Sequence, residues 1–412
     1  MPNGWEITNG LFIVLQVITA CIALYQVIIG LAGLWKRRET CTAPPDSSFA
    51  IFVAAHNEEQ VIAPLLENIK SLDYPKEKYD IFVICDNCTD RTADIVRAHG
   101  LLPMERFNQE KRGKGHAIEW MLDRLWKMDR SYDAVVIFDA DNLASRNFLT
   151  EMNEKLMSGH QVIQGYLETK NPYDSWISIS YAITYWFMNR MWQLARYNLG
   201  MANALGGTGL CIKTDLLKEM GWGVTSLTED VEFTARCVYR GIYPTWAHYA
   251  IVYDEKPLTL LSSMRQRLRW MRGHFYCARQ YFWPILWKAL RTRNLSQFDA
   301  ALYLFQPMRL LMVAVTSMML YLQVATSIYE SFHLFKLMPD WFWWLVNTAL
   351  YLQTPFVMLL EKKPLKAYLG IFVYPIFLLT WFPITLVALF TSNSQTWSHT
   401  VHTRSIKIEE LS

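Results

Sequence analysis

The chain has 412 residues, of which 52% are hydrophobic and 14% are aromatic, so it is long enough for one large domain and several further helices. Its formal net charge is only +3 and its basic residues form no long block, which disfavours a nucleic-acid-binding protein held by phosphate contacts. The seven cysteines are scattered through apolar or helical stretches, so we interpret them as free thiols of a reducing compartment.

The first predicted element is a membrane-spanning helix. Residues 11–35 carry no charged side chain and exceed the roughly 20 residues that cross a bilayer. Lys36, Arg37 and Arg38 follow at once, and such a basic flank marks the cytoplasmic side. No small-residue cleavage site follows the apolar run, which disfavours a removed signal peptide. We therefore predict a transmembrane helix within 1–35 and a linker over 36–48.

Between residues 49 and 270 the chain alternates short apolar runs with amphipathic stretches. The apolar runs are continuous and β-branched, as expected for parallel strands covered on both faces, and the stretches between them have helical spacing. This alternation predicts a doubly wound α/β domain, whose ligands bind beyond the carboxyl ends of the strands. The predicted strands are 49–55, 79–85 and 134–138, and the predicted helices run from the capping residue Asn57 to Leu72 and from Gly115 to Met128.

Acidic and amide side chains follow each predicted strand. Taken singly, each is more readily explained as a helix cap or a turn former. Taken together at one sheet edge, carboxylates repel one another unless a cation or hydrogen-bond donors compensate them. An Asp-x-Asp pair also places two carboxylates on one side of an extended segment, which suits a divalent metal that binds phosphate oxygens. The residues are Asn57 and Glu58 after the first strand, Asp86 after the second, and Asp139 and Asp141 after the third.

The sequence contains no Gly-x-x-x-x-Gly-Lys-Ser/Thr loop, so a P-loop nucleotidase is not supported. The basic turn from Lys111 to Gly115 could approach phosphates instead, although a solvated turn explains it equally well. The Cys85-x-x-Cys88 pair resembles a redox pair. It lies among the carboxylates and has no matching zinc pair, which disfavours redox or metal chemistry there.

Two further motifs complete a series. Thr228-Glu229-Asp230 is followed by Gln266-Arg267-Leu268-Arg269-Trp270. Together with Asp86 and Asp139-x-Asp141, they resemble the D, DxD, TED and QxxRW motifs of processive family 2 glycosyltransferases, such as cellulose, hyaluronan and poly-N-acetylglucosamine synthases. The resemblance covers the predicted α/β domain and includes the flanking spans. The departures from the common pattern are Ala54, Cys85 and Asn87.

The resemblance implies a GT-A (nucleotide-diphospho-sugar transferase) fold with Mg²⁺ or Mn²⁺ as cofactor and a uridine diphosphate sugar, UDP-glucose or UDP-N-acetylglucosamine, as donor. A general base would take the proton of an acceptor hydroxyl as it attacks the anomeric carbon opposite the diphosphate, which inverts configuration. The implied residues are Asp230 and Glu229 for catalysis; Asn57, Glu58, Asp86, Lys114 and Asp139 for the donor; Asp139 and Asp141 for the metal; and Gln266, Arg269 and Trp270 for the acceptor or diphosphate.

The stretch around the last motif has a second interpretation as a basic amphipathic helix on anionic lipid, and both can hold at once. We predict an interfacial segment over 276–300. Aromatic side chains in this segment and just before it either stack on successive sugar rings or anchor the helix in the interface. The glycine-rich run 204–209 either approaches the acceptor or forms a plain turn. The charged residues of the lipid interpretation are Arg265, Arg267, Arg272 and His274, and the aromatic ones are Trp270, Phe275, Tyr276, Tyr281 and Trp283.

From about residue 301 the chain is apolar again, with candidate spans at 310–329, 341–360 and 367–390. In the tail 391–412, the four candidates named below, together with Thr403, resemble the gating segment of hyaluronan synthase-like enzymes, which closes over the donor. Three complete crossings would leave this tail outside, whereas basic residues in the loops favour inside. We therefore predict that one segment does not cross, namely the stretch around Pro307 and Arg309. The gating candidates are Trp397, Thr400, His402 and Arg404.

These features predict a multi-pass cell-membrane enzyme with a cytoplasmic catalytic domain over 49–275 and a membrane region over 301–390. Its partners would be a nucleotide-sugar donor, membrane lipid and a growing β-linked polysaccharide that passes outward through the spans. A glycolipid-forming transferase is the nearest alternative. A transporter with a nucleotide-binding regulatory domain is disfavoured, because few charges lie within the spans.

Overall fold

The computed structural model describes residues 4–36, 40–326, 337–393 and 402–411. Within them, eight strands form one mixed sheet. They are β1 (Phe49–Ala55), β2 (Tyr79–Asp86), β3 (Pro103–Arg106), β4 (Ala134–Asp139), β5 (Leu143–Ala144), β6 (Val162–Thr169), β7 (Leu210–Lys213) and β8 (Thr245–Asp254). Their order across the sheet is β3-β2-β1-β4-β7-β6-β8-β5.

The first half of the sheet confirms the predicted parallel strands. β1 pairs in parallel with both β2 and β4, and its Ala54 lies opposite Asp139. The second half differs, because β7 runs antiparallel to its neighbours β4 and β6. The sheet is therefore mixed rather than doubly wound throughout, and the acidic ends of β1, β2 and β4 share one edge.

The helices cover both faces of the sheet and continue beyond it. A π-helical stretch, Met188–Leu194, joins α6 to α7, and short 3-10 turns lie at Ala32–Leu34, Lys76–Lys78, Leu369–Phe372 and Ile408–Glu410. The helices are α1 (Gly4–Leu31), α2 (Ile62–Lys70), α3 (Thr92–Ala98), α4 (Lys114–Leu125), α5 (Phe148–Met157), α6 (Trp176–Phe187), α7 (Ala195–Asn198), α8 (Thr214–Met220), α9 (Glu229–Arg240), α10 (Leu260–Thr292), α11 (Leu295–Leu304), α12 (Gln306–Thr326), α13 (Asp340–Leu360), α14 (Leu365–Tyr368), α15 (Tyr374–Leu379) and α16 (Trp381–Thr391).

Two hydrophobic cores flank the sheet, which gives the domain three layers. Side chains of α2 and α5 pack on one face, and side chains of α4, α8 and α9 pack on the other. The prediction that Asn57 caps the first of these helices is wrong. Helix α2 begins five residues later, at Ile62, and the Asn57 side-chain oxygen accepts a hydrogen bond from the Thr89 amide at 2.8 Å.

Two described segments are long and apolar enough to cross a membrane, Asn9–Leu34 and Tyr374–Thr391. Helices α11 and α12 meet the same test as a pair bent by 61°, which is either a broken span or a re-entrant loop. Helix α13 covers the predicted span 341–360 and begins one residue before it, but its mean hydropathy is lower than that of Asn9–Leu34 and Tyr374–Thr391. The predicted span 367–390 is divided among α14, a 3-10 turn, α15 and α16. The predicted basic flank residues Arg37 and Arg38 lie outside the described residues.

Helix α10 runs without a break across the predicted domain boundary between residues 275 and 276. It packs against both α9 and α16. This packing corrects the lipid-facing interpretation for two of its charged residues. Arg267 is completely buried between the rings of Phe377 and Trp381, and its Nη1 donates to the Thr380 hydroxyl at 2.8 Å. His274 is also buried.

The ends of two apolar helices meet at the α/β domain. Arg190 of the π-helical stretch donates from Nε to the carbonyl of Gly33, just after α1, at 2.6 Å. Its Nη1 lies 2.9 Å from the carboxylate of Glu361, the residue that follows α13. The described tail also contacts this domain, since Lys407 pairs with Glu67 of α2 at 3.0 Å. The cytoplasmic ends predicted for these segments therefore lie on one side of the molecule.

Candidate active site

A cavity of about 1110 Å³ opens at the carboxyl ends of β1, β2 and β4 and extends to α10, α12, α15 and α16. It brings together most of the predicted site residues, although they are spread over more than 340 positions of the sequence. Asn57 and Arg404 are not in its lining, and Trp397 and Thr400 lie outside the described residues. The predicted residues that line it are Glu58, Asp86, Lys114, Asp139, Asp141, Glu229, Asp230, Gln266, Arg269, Trp270 and His402.

Lys114 is the cation at the centre of the acidic edge. It is the first residue of α4, and its Nζ lies 2.5 Å from Asp139 Oδ1 and 3.9 Å from Glu229. Burial alone would lower the pKa of Lys114, but the negative charges of Asp139, Glu229 and Asp230 outweigh burial and raise it. Lys114 is therefore a permanent positive charge that offsets the repulsion among three carboxylates.

The glycine-rich run approaches the acidic residues through its backbone. The carbonyl oxygen of Gly207 accepts a hydrogen bond from Lys114 at 2.6 Å, and the Thr208 hydroxyl accepts one from the Asp139 amide at 3.0 Å. Gly207 has a φ of 81°, and a Cβ there would lie 3.5 Å from Asp230 Oδ2. The run thus lies between Lys114 and Asp230, where only glycine leaves the facing space open.

Asp86 forms a buried ion pair that the sequence did not predict. Its Oδ1 lies 2.5 Å from Nη1 of Arg106, at the end of β3, and also accepts a hydrogen bond from the Asn87 amide group at 2.9 Å. Burial raises the pKa of Asp86 even though Arg106 acts in the opposite direction. Arg106 was missed because its four-residue strand begins with Pro103 and has no apolar run.

Asp141 is held mainly by backbone and amide groups. Its Oδ2 accepts a hydrogen bond from the Glu255 amide at 2.8 Å, and its Oδ1 accepts one from Asn142 at 3.3 Å. In the described part of the chain, no three His, Cys, Asp or Glu side chains are grouped to hold a metal by themselves. Asp139 and Asp141 nevertheless line one cavity, and Mg²⁺ is commonly held by one or two carboxylates together with substrate phosphates. The residues fit an ion shared with a diphosphate.

Asp230 is a partly buried carboxyl group of the site. It lies in the first turn of α9, and its Oδ1 accepts a hydrogen bond from the Val231 amide at 2.9 Å. Burial, with a contribution from the neighbouring charge of Glu229, raises the pKa of Asp230 to about 7. A carboxyl group with such a pKa can accept a proton near neutral pH.

Helix α10 carries the motif from Gln266 to Trp270 and packs against the turn that precedes Asp230. Gly273 lies so close to Thr228 that a Cβ on it would overlap the Thr228 side chain. Gln266 accepts a hydrogen bond from the Tyr181 hydroxyl at 3.1 Å, and the Trp270 ring meets the Tyr181 ring edge-on. Among the described residues, the Nε of Arg269 is buried without a hydrogen-bond partner.

The five aromatic residues predicted to stack on sugar rings do not form one surface. Trp270 lines the cavity, whereas Phe275 is buried against α12 and α16. Tyr276 and Tyr281 pack toward α9, and Trp283 is 69% exposed. Successive positions of a helix point in different directions, so the cluster in sequence is dispersed around α10.

The described tail brings His402 to the donor end of the cavity. Its Nδ1 lies 3.0 Å from Glu58 Oε1, and the backbone amides of Thr403 and Arg404 donate to the Glu255 carboxylate at 3.0 and 2.9 Å. Burial would lower the pKa of His402, but Asp141, Glu58 and Glu255 raise it to about 10. His402 is therefore a second cation over the acidic edge.

Cys85 lies in β2 and Cys88 follows it closely, beside the acidic edge. All seven cysteines are free thiols, and Cys88 Sγ donates to the Ala55 carbonyl at 3.5 Å. This agrees with the interpretation of the cysteines as free thiols.

The far end of the cavity is formed by the C-terminal helices. The rings of Tyr303 and Trp381 lie there, and the described lining adds apolar side chains such as Leu310 and Leu378. None of these residues belongs to a sequence motif shared with the acidic edge. Their position in the cavity could therefore not be predicted from the sequence.

The mixed sheet and its acidic edge define the class of protein: this is a GT-A-like glycosyltransferase fold. The family model described as "Glycosyltransferase like family 2" matches residues 44–273, and the chain belongs to that family.

Its relatives have different products. It is 27% identical over 256 residues to a beta-monoglucosyldiacylglycerol synthase of Nostoc sp. (strain PCC 7120), with 60% of this chain and 53% of the relative covered. It is 26% identical over 244 residues to a poly-beta-1,6-N-acetyl-D-glucosamine synthase of Staphylococcus aureus (strain COL), with 56% and 55% covered. The chain thus spans little more than half the length of these relatives.

One solved structure has the same fold over nearly the whole chain. A mannosyltransferase from Pyrobaculum calidifontis, in complex with GDP-Man and Mn²⁺, matches with a TM-score of 0.58 at 18% identity. The match covers 92% of this chain and 99% of that one. The likeness therefore extends to the helices that flank the α/β domain.

Proposed function

We propose that this enzyme transfers a sugar, with inversion, from a nucleotide diphosphate donor to a hydroxyl group of an acceptor that enters from the membrane. One observation carries the proposal: a single cavity joins the acidic edge at Asp139, the partly buried carboxyl group of Asp230 and the apolar helices α12 and α16. The donor and the acceptor can therefore meet at Asp230 although one is soluble and the other is membrane-bound.

The donor end is proposed to bind the nucleotide sugar through its charges. Asp86 and Glu58 lie where the nucleoside would bind, and Lys114 is placed to pair with the diphosphate. A divalent ion held by Asp139 and Asp141 would stabilise the charge of the leaving diphosphate. The names of both relatives refer to glucose or N-acetylglucosamine, which supports UDP-glucose or UDP-N-acetylglucosamine as the donor.

Asp230 is proposed as the general base. Its raised pKa suits a group that removes a proton from the acceptor hydroxyl at neutral pH, and Glu229 beside it keeps the local charge negative. One displacement at the anomeric carbon converts an α-linked donor into a β-linked product. Arg269, whose Nε is buried without a partner in the described structure, can then donate to the released diphosphate.

A membrane lipid is the acceptor that the far end of the cavity favours. Its walls there include the apolar side chains of Leu310, Leu378 and Met271, and lipid would reach it between α12 and α16. The relative that makes monoglucosyldiacylglycerol supports a lipid acceptor. The domain would lie in the cytoplasm, beside the ends of α1 and α13.

A growing polysaccharide is the second candidate acceptor. The QxxRW resemblance and the poly-beta-1,6-N-acetyl-D-glucosamine synthase relative favour it. The dispersal of the aromatic residues around α10 removes one of the reasons for it, because only Trp270 of the five lines the cavity.

Product analysis tests the proposal. The purified full chain in lipid vesicles would be given a panel of radiolabelled nucleotide sugars, and the products would be separated by solvent extraction and size. We expect label in extractable lipid with one or a few sugars, and none with Asp230→Asn. High-molecular-weight, hydrolase-sensitive material would favour the polysaccharide candidate instead. Absence of transfer from every donor would contradict both.

A further inference from the structure

The buried arginines of this protein are neutralised in two ways. Three form ion pairs with carboxylates: Arg106 with Asp86, Arg190 with Glu361, and Arg196 with Asp299. The fourth, Arg267, has no carboxylate partner but lies against two aromatic rings. Such compensation is expected, because an uncompensated charge away from water is costly.

Arg309 in α12 follows neither pattern. Among the described residues it has no carboxylate within ion-pair distance and no aromatic ring beneath its guanidinium group, and its Nη1 donates to the side-chain oxygen of Gln26 in α1. It is partly buried and lines the cavity. A neutral amide satisfies one donor of a guanidinium group but not its charge.

The position of Arg309 makes this charge more costly. Gln26 precedes Leu34, at the cytoplasmic end of the first apolar segment, by eight residues. At the rise of an α-helix, this distance places Gln26 and Arg309 about 12 Å inside that end. A cation at such a depth usually marks a functional site, and its partner is then sought in the cavity that it faces.

The surroundings restrict what that partner can be. Arg309 lies between the cavity-lining residues Pro307 and Leu310, and the outer face of α12 is apolar, with Met308, Val313 and Met318 exposed. A ligand there has an anionic group in an apolar setting, and a guanidinium group binds phosphate through paired hydrogen bonds. A phosphate attached to acyl chains has both properties.

We propose that the acceptor is a phospholipid, with its phosphate bound by Arg309 and its headgroup hydroxyl directed toward Asp230. This inference rests on the proposed function and adds the acceptor class to it. Arg309 then acts on acceptor binding and selection, and takes no part in the transfer itself. Gln26 is a positioning residue that orients the guanidinium group.

The test compares two acceptors that differ in the phosphate. Phosphatidylcholine vesicles would carry the same mole fraction of either phosphatidylglycerol or diacylglycerol, both of which have a free hydroxyl. We expect the wild-type chain to favour phosphatidylglycerol. Arg309→Gln should raise the KM for phosphatidylglycerol roughly 10-fold to 100-fold, as expected for loss of a charged hydrogen bond. The KM for the nucleotide sugar and the rate with diacylglycerol should not change.

Two further variants separate binding from other effects of charge. Arg291→Gln removes a positive charge from the exposed last turn of α10, so it reports how far vesicle surface charge alone matters. Arg309→Lys keeps the charge and should recover part of the phosphatidylglycerol preference. The thermal unfolding midpoint of Arg309→Gln in detergent without phospholipid should equal or exceed that of the wild type, because a poorly compensated charge is removed.

Each contrary result has its own meaning. Equal use of diacylglycerol by the wild type, a loss shared by both lipids, or a raised KM for the nucleotide sugar in Arg309→Gln would overturn the phosphate site while leaving lipid glycosylation intact. A lowered unfolding midpoint would assign Arg309 a structural role. Equal transfer to glycerol phosphate without acyl chains would show a soluble phosphate acceptor. Label in neither lipid nor glycerol phosphate would refute the lipid acceptor itself.

Discussion

The donor end and the acceptor end of the cavity have opposite electrostatics. At the donor end, carboxylates predominate and two cations have a carboxylate partner: Lys114 pairs with Asp139, and His402 pairs with Glu58. At the acceptor end, the described arginines Arg269 and Arg309 line the cavity with no carboxylate partner. The donor end can therefore exchange internal ion pairs for a nucleotide and its metal, whereas the acceptor end has positive charge available for an anion.

The two ends also differ in how they are built. The acidic residues of the donor end lie where the parallel strands β1, β2 and β4 of the mixed sheet end, so they are close together by topology. The acceptor end is assembled from α6, α10, α12 and α16, which are brought together by tertiary contacts between distant parts of the chain. Substitutions at the donor end should therefore affect donor binding and the chemistry, and substitutions at the acceptor end should affect acceptor binding.

The largest expected effect is at the boundary between the two ends. We expect Asp230→Asn to lower kcat by about 10²-fold to 10⁴-fold, the usual contribution of a general base. The dissociation constant of the nucleotide sugar, measured by calorimetry, should remain close to that of the wild type, because Asp230 acts on the acceptor. Substantial remaining turnover would show that another group removes the proton.

Metal removal tests the donor end alone. Chelation should stop turnover and Mg²⁺ or Mn²⁺ should restore it, because loss of an ion at a developing diphosphate costs several kcal/mol. The matched control is Asp141→Asn, which should need a higher metal concentration for half-maximal rate. Full activity in chelator would remove the proposed role of Asp139 and Asp141.

The cation at the acidic edge should have a smaller effect. Lys114→Met removes the group that offsets three carboxylates and would pair with the diphosphate, so we expect donor affinity to fall roughly 10-fold to 100-fold. Lys127→Met, at an exposed position shortly after α4 and outside the cavity lining, is the control for loss of one positive charge. Equal effects of the two variants would show that Lys114 acts only through its overall positive charge and not through a direct contact with the donor.

The pH profile follows from the raised pKa of Asp230. The base must be ionised to accept a proton, so kcat should fall as the pH decreases through about 7 and level off above it. Binding of the nucleotide sugar should vary less over the same range. A rate that stays constant down to pH 5 would place the pKa of the base well below the value that burial gives Asp230.

The sequence predicted the donor end far better than the acceptor end, for a physical reason. Asp86 and Asp139 follow strands that are recognisable as apolar runs, and parallel pairing alone brings them together. Arg106 was missed because its strand is short, and the predicted cap at Asn57 was wrong because that side chain reaches the next loop instead. At the acceptor end, Arg267 resembled a lipid-facing charge, since no local pattern shows that α16 covers it.

The smallest expected effect is the difference in acceptor KM between substitutions of two tryptophans of α10. Trp270 lines the cavity against Tyr181, whereas Trp283 is mostly exposed and lies more than three helical turns away. If acceptor binding depends on the cavity and not on an aromatic surface along α10, Trp270→Ala should raise the acceptor KM about 10-fold, consistent with loss of a buried aromatic contact of ~1 kcal/mol or slightly more. Trp283→Ala should leave it unchanged. Measurement of acceptor KM with saturating nucleotide sugar separates the two. An equal rise in acceptor KM for the two variants would indicate a continuous binding surface along α10 and would favour a polysaccharide acceptor.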